Sequence, residues 1–164
     1  MMKLGTKIAA VTFVLLAAGP ALAGKGGSAA KIQSAVTSGS VDAIVAEIER
    51  TESLMCEQCV GIVTNLLEDD RYAVREAAAW WFAKRPALKD MLATQFVTEL
   101  ASGDTIAVRN AADFLGRTMT YTSLPALRTA IVSPEASSVT NCVASMSLIA
   151  GRLANHHAAA SRTA

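Results

Sequence analysis

The strongest constraint on the fold is a pattern that occurs twice. Leu66-x-x-x-Asp70-x-x-Ala73-Val74-Arg75-x-Ala77-Ala78 returns 34 residues later, without a gap, as Leu100-x-x-x-Asp104-x-x-Ala107-Val108-Arg109-x-Ala111-Ala112, with seven identities over thirteen positions. Self-similarity at such a period marks one supersecondary unit, copied and stacked, because the unit cannot bury its apolar face alone. The apolar spacing identifies the unit. Val74, Ala77, Ala78 and Trp81 fall at i, i+3, i+4 and i+7, the period of a helix. Val108, Ala111, Ala112 and Leu115 repeat the spacing, as do Val139, Cys142, Val143 and Met146, and Val41, Ile44, Val45 and Ile48. The lead valines stand 33, 34 and 31 residues apart. That regularity predicts about four repeats, the outer two divergent because one face of each meets no neighbour.

Each of these helices has another ahead of it. Cys59, Ile62, Val63 and Leu66 mark one; Leu88, Leu92, Phe96 and Leu100 the next; Leu124, Leu127 and Ile131 a third. Ile32, Ala35 and Val36 mark a weaker opening helix. Glu68-Asp69-Asp70, Ser102-Gly103-Asp104 and Ser133-Pro134-Glu135 supply turn chemistry inside the hairpins. Arg85-Pro86 and Leu124-Pro125 place proline where a helix opens. No run alternates with period two long enough to predict a strand.

On these residues the chain resembles HEAT-repeat proteins, of the short-repeat kind seen in phycobilin-lyase-type HEAT proteins. The carriers are Leu66-Leu67 with Glu68-Asp69-Asp70, then Ala73-Val74-Arg75 with Ala77-Ala78-Ala79, and Ala107-Val108-Arg109 with Ala111-Ala112 and Leu115-Gly116. The resemblance spans roughly residues 52 to 150. It implies an all-α fold, a right-handed α-solenoid of about four stacked helical hairpins. It also implies a ladder between neighbouring repeats, made by Asp70 and Asp104 with Arg75 and Arg109. The next copy departs, with Glu135 and Thr140 at those places. The period is shorter than the roughly 40 residues usual for HEAT repeats. The Trp-Leu-Gly-Tyr pattern of the 34-residue tetratricopeptide is absent. The motif has a physical sense: the alanine pair lets helices approach closely, the Asp can cap the second helix, and the Arg can hold turn carbonyls or a carboxylate of the next repeat.

The ends read differently from the middle. Lys3 and Lys7 precede an apolar stretch from Ile8 to Ala18, followed by Gly19-Pro20 and Ala21-Leu22-Ala23. That is the order of a secretory signal with its A-x-A cleavage site. The expected organisation is a cleaved signal over 1–23, a flexible leader over 24–30, the α-solenoid over 31–154 and a frayed tail over 155–164. Localisation follows: exported, to the periplasm or outside the cell. Without Lys3 and Lys7 the chain carries 13 basic and 14 acidic side chains. Nothing in that balance steers it toward nucleic acid or an anionic membrane surface, and no membrane insertion is expected after cleavage.

Few residues could carry chemistry. Cys56 and Cys59 form a C-x-x-C at a helix start, close enough for a disulfide and expected oxidised in an exported protein. A thiol–disulfide redox role is the alternative; such a role wants a βαβ unit beside the motif, and none is present. Cys142 shares its repeat position with Ala77 and Ala111 and is expected in the core. His156 and His157 are adjacent, so on a helix they point about 100° apart and do not chelate one ion together. No metal or cofactor site can be assembled. Trp81 aligns with Leu115 and belongs to the core, whereas Trp80 aligns with Phe114, one residue off the apolar row. An aromatic at that phase in successive repeats can line an inner groove, where aromatics anchor partners. The expected function is therefore an exported protein-interaction or scaffold module without catalysis, holding a protein or peptide at Trp80 and Phe114. It would act as a monomer or within a hetero-complex.

Overall fold

The apolar rows dictate helices, and helices are what form. A computed structural model describes residues 28–132 and the backbone of 136–160, with the side chains of 140–155 in that last stretch. Residues 1–27, which hold the expected signal and most of the expected leader, residues 133–135, where a turn is expected, and residues 161–164 lie outside the described residues. Among the described residues the fold is all-α, with eight α-helices and no strand. They are α1 (Ala29–Ser38), α2 (Val41–Thr51), α3 (Cys59–Leu66), α4 (Tyr72–Ala83), α5 (Pro86–Glu99), α6 (Thr105–Arg117), α7 (Leu124–Ile131) and α8 (Ala136–Ala160). A short 3-10 turn, Tyr121–Ser123, leads into α7.

Local chemistry sets the boundaries. Pro86 opens α5 and Pro125 sits in the first turn of α7, where a missing N–H costs nothing. Gly39 closes α1 in the left-handed region, φ +71°, a conformation glycine adopts without strain. Met119 takes the same role after α6 at φ +52°. Its N–H reaches the Gly116 carbonyl at 3.2 Å and the Thr120 N–H reaches that of Leu115 at 3.0 Å, the paired bonds of a Schellman ending.

Consecutive helices pair, α1 with α2, α3 with α4, α5 with α6 and α7 with α8. The second helices of these pairs also touch in order, α2 to α4 to α6 to α8. One continuous core runs through them, from Ile32 and Ile44 through Val74, Trp81, Phe82, Val108 and Leu115 to Cys142 and Ile149. Small residues permit this contact. Ala78 and Ala112 are fully buried. At the α6–α8 seam a Cβ on Gly116 would fall 2.6 Å from the Ser145 Cβ and 2.8 Å from its Cα. The Ser145 hydroxyl donates across that seam to the Ala112 carbonyl at 2.6 Å, so its polarity is satisfied where it is buried.

One expectation needs correction at the C-terminal end. The apolar row predicted for the last hairpin includes Val143, which is 46% exposed. The buried row is instead Cys142, Ser145 and Ile149. Among the described residues α8 packs mainly on α6 and α7, and a helix packed chiefly toward two neighbours buries a narrower stripe. The backbone of the expected tail is helical to Ala160, and residues 161–164 lie outside the described residues. Alanines, the best helix formers, carry the helix to Ala160.

Candidate functional site

The turn ahead of α4 is built by charge. Asp69 accepts from the Arg71 guanidinium at 2.8 and 2.7 Å and from the Arg71 backbone N–H at 2.9 Å. The hydrogen bond from Arg71 holds the Asp69 carboxyl below the usual carboxylate range, against the opposing pull of partial burial. Arg71 also donates to the Gly39 carbonyl at 2.8 Å, tying this turn to the preceding hairpin. Arg75, 5% exposed, completes the corner. Its Nη1 donates to the carbonyls of Asp69 and Asp70 at 2.7 and 2.9 Å. Its Nε and Nη2 donate to Asp113 Oδ2 on α6 at 3.1 and 2.8 Å. One guanidinium thus joins its own turn to the next pair of helices.

The predicted Asp70/Asp104–Arg75/Arg109 ladder does not form as expected. Asp70 is exposed and offers only its backbone carbonyl. The cap position of α4 is Arg71, with no side-chain cap bond. Asp104 does cap α6, accepting from the backbone N–H groups of Ile106 and Ala107 at 2.8 Å each. The copies differ because Asp69 and Arg71 are replaced, 34 residues on, by Gly103 and Thr105. Without that ion pair the second turn leaves its Asp to cap. Arg109 turns to its neighbour Asn110, donating to Oδ1 at 3.1 and 3.0 Å. The rung that exists is Arg75–Asp113. Asp113 stands five residues after Val108; five after Val139 stands Ala144, so a rung from Arg109 would meet a methyl group.

The predicted aromatic pair also divides. Trp80 is 37% exposed, while Phe114 is 1% exposed and is therefore not a surface anchor. Phe114 packs against Phe96, ring centroids 4.6 Å apart, and Phe82, 6.2 Å apart. The position 34 residues before Phe96 is Ile62, which gives Trp80 no ring to cover it. Trp81 lies in the core beneath Arg85, whose guanidinium carbon sits 3.3 Å from the ring centroid. Arg85 also donates to the carbonyls of Leu54 and Thr51 at 2.8 and 3.3 Å, and burial lowers its pKa.

Cys56 and Cys59 sit at disulfide-bonding distance, Cα atoms 5.3 Å apart. Cys59 is fully buried as the first residue of α3, and Cys56 is half-buried. Cys142 is a free, buried thiol; burial, then the nearby Asp113 charge, pushes its pKa up. The side chains of His156 and His157 lie outside the described residues.

A concavity on the layer of second helices was not legible in the sequence. A cleft of about 530 Å³ opens across α4, α6 and α8, between Tyr72, Asp113, Arg117, Asn141, Ser147 and Leu148. Arg117 holds Glu76 at 2.9 Å and donates through Nε to the Tyr72 hydroxyl at 3.0 Å, with a second donor from Nη2. Arg75 and Arg117 both stand over the Tyr72 ring, 5.8 and 5.6 Å from its centroid. Of these groups only Arg75 was singled out in sequence. Asp113 had a detectable signal: the equivalent positions are Ala79 and Ala144, so a carboxylate interrupts a small-residue site of the repeat.

Among the described residues no cluster of three or more His, Cys, Asp or Glu is arranged to hold a metal, and no helix is long and apolar enough to cross a membrane. In comparison with known proteins, no family model, no curated protein and no solved structure matches the chain.

Proposed function

We propose that this chain is an exported, HEAT-like right-handed α-solenoid of four helical hairpins, which binds a protein or peptide on its layer of second helices and carries no catalysis of its own. Helix pairs in chain order, with α2, α4, α6 and α8 in successive contact, support the solenoid reading. The observation that carries the binding reading is the cleft across α4, α6 and α8. Its charged side chains are fixed by ion pairs before any partner arrives, which lowers the ordering cost of association. The exposed Trp80, two turns along α4 from Tyr72, extends the same helix as a second contact.

The test is capture of a specific partner from a cell-envelope extract by the immobilised protein. Tyr72→Ala with Leu148→Ala should abolish recovery, and Trp80→Ala should weaken it. A partner retained by the triple variant would place binding elsewhere on the molecule. Thiol–disulfide exchange at Cys56 and Cys59 is the weaker reading. A thiolate released at fully buried Cys59 would be desolvated among apolar neighbours, which disfavours it as a leaving group.

A further inference from the structure

The cleft across α4, α6 and α8 has a chemistry that selects among peptides. We infer that it takes an uncharged, extended peptide segment by its main chain, Asp113 Oδ1 accepting a backbone N–H and Arg117 donating to a backbone carbonyl. This rests on the peptide-binding reading above and specifies its partner.

The charges argue first. The cleft and its floor hold two cations and two anions, and they pair, Arg75 with Asp113 and Arg117 with Glu76. A lysine or arginine drawn to Asp113 would meet Arg117 one helical turn away. A carboxylate or phosphate drawn to Arg117 would meet Asp113 and Glu76. A charged group of either sign is thus opposed by its neighbour, which is rejection built into the site. A neutral amide is opposed by neither.

The open hydrogen-bonding positions argue second. Both bonds from Arg75 fall on Asp113 Oδ2, and among the described residues no donor reaches Oδ1. Arg75 itself is 5% exposed and directs its donors to Asp113 and two turn carbonyls, so it adds nothing to the cleft. Of the five N–H groups of Arg117, two hydrogen-bond the Tyr72 hydroxyl, through Nε and Nη2, and Nη1 forms the ion pair with Glu76. Two N–H groups remain. One acceptor and one donor site therefore stand at i and i+4 on α6, about 5–6 Å apart at Cβ. An extended residue presents its own N–H and C=O on one side, the complement of that pair. The Tyr72 ring and Leu148 flank the polar pair and give the peptide's side chains apolar surface. The volume of about 530 Å³ falls within the range of real ligand sites, about 300–1,000 Å³.

A displayed library of random heptapeptides, selected on the immobilised full chain at low salt, tests this. The expected winners share an uncharged core. Their Kd should change by less than about threefold between low and high salt, since no net charge is screened. Asp113→Asn should weaken them at least about tenfold: its amide oxygen can still accept from Arg75, but an N–H₂ donor then faces the cleft. Arg117→Met, which leaves the buried pair intact, should weaken the same peptides to a similar degree with an unchanged melting temperature. Winners that share a Lys, Arg, Asp or Glu and bind with steep salt dependence would overturn the inference while leaving peptide binding in place. So would uncharged winners indifferent to both variants. A library that yields no binder at all would overturn the peptide-binding reading itself, and this inference with it.

Discussion

The turn leading into α4 and the turn leading into α6 carry the same Asp and the same Arg at the same spacing, and they use them differently. In the first, Asp70 points to solvent and Arg75 reaches forward into the next hairpin. In the second, Asp104 caps its helix and Arg109 stays on its own helix with Asn110. The apolar part of the motif behaves alike in both. Val74 and Val108, Ala77 and Ala111, Ala78 and Ala112 are all buried. At these positions burial follows the helix period, which each copy carries within itself. A polar rung needs a partner supplied by another repeat, and the copies have different neighbours.

The largest test of that contrast removes the two arginines separately. Arg75→Ala leaves Asp113 largely buried without its cation, and breaking a buried pair by one partner costs about 3–5 kcal/mol. Arg109→Ala, whose partner is a neutral neighbour on the same helix, should cost less than about 1 kcal/mol. Urea unfolding of both variants gives the comparison directly. Equal losses would mean that the Arg75–Asp113 pair is not what distinguishes the copies. Arg75→Lys should recover only part of the loss, because one ammonium cannot replace a fork bonded to two carbonyls and a carboxylate.

The glycines sharpen the comparison next. Gly116→Ala sets a Cβ against the backbone of Ser145, so α6 and α8 must separate, at about 1–3 kcal/mol. Gly61 lies in α3 with nothing within 4 Å of its virtual Cβ. Gly61→Ala should stabilise by roughly 0.5–1 kcal/mol, the helix-propensity difference. Thermal melts moving in opposite directions are the expected result. A Gly116→Ala melt at or above wild type would show that the seam has slack.

These cases also show how far the sequence was legible. The eight helices and the core rows of α2, α4 and α6 followed from spacing, because the buried face of a helix is written in its own i, i+3, i+4 pattern. In α8 the rule breaks at Val143, which is exposed where the helix packs mainly on α6 and α7 among the described residues. The candidate site was mostly illegible. Arg75 and Asp113 are 38 residues apart, and Arg117 and Tyr72 are 45 apart. No local pattern joins them, and only the packing of α4 on α6 does. The aromatic pair misled because alignment gives phase but not cover. Phe96 buries Phe114, and nothing equivalent buries Trp80.

The caps separate the two turns by a smaller margin. Asp104→Ala removes an acceptor from two backbone N–H groups and should cost about 1 kcal/mol. Asp70→Ala, which touches a side chain making no bond among the described residues, should lie within about 0.5 kcal/mol of wild type. A loss at Asp70 equal to that at Asp104 would mean the two turns cap their helices in the same way after all.

The smallest effect isolates what the first turn has and the second lacks. Asp69 is paired with Arg71, and the corresponding positions are Gly103 and Thr105. The hydrogen bond from Arg71 depresses the folded pKa of Asp69. Between its folded and unfolded pKa values the unfolded chain binds more protons, so stability rises with pH across that window. The contribution is fully present above the ordinary aspartate value, about 3.9, and is lost as pH falls through the depressed folded value. Asp69→Asn should therefore be less stable than wild type at neutral pH, and the gap should close in acid. The gap will be small, because Arg71 is 36% exposed and water screens the pair. Urea midpoints of the two proteins, measured from neutral pH down to about pH 2, give the curve. A gap that stays constant over that range would mean Asp69 orders the turn through the shape of its side chain and not through its charge.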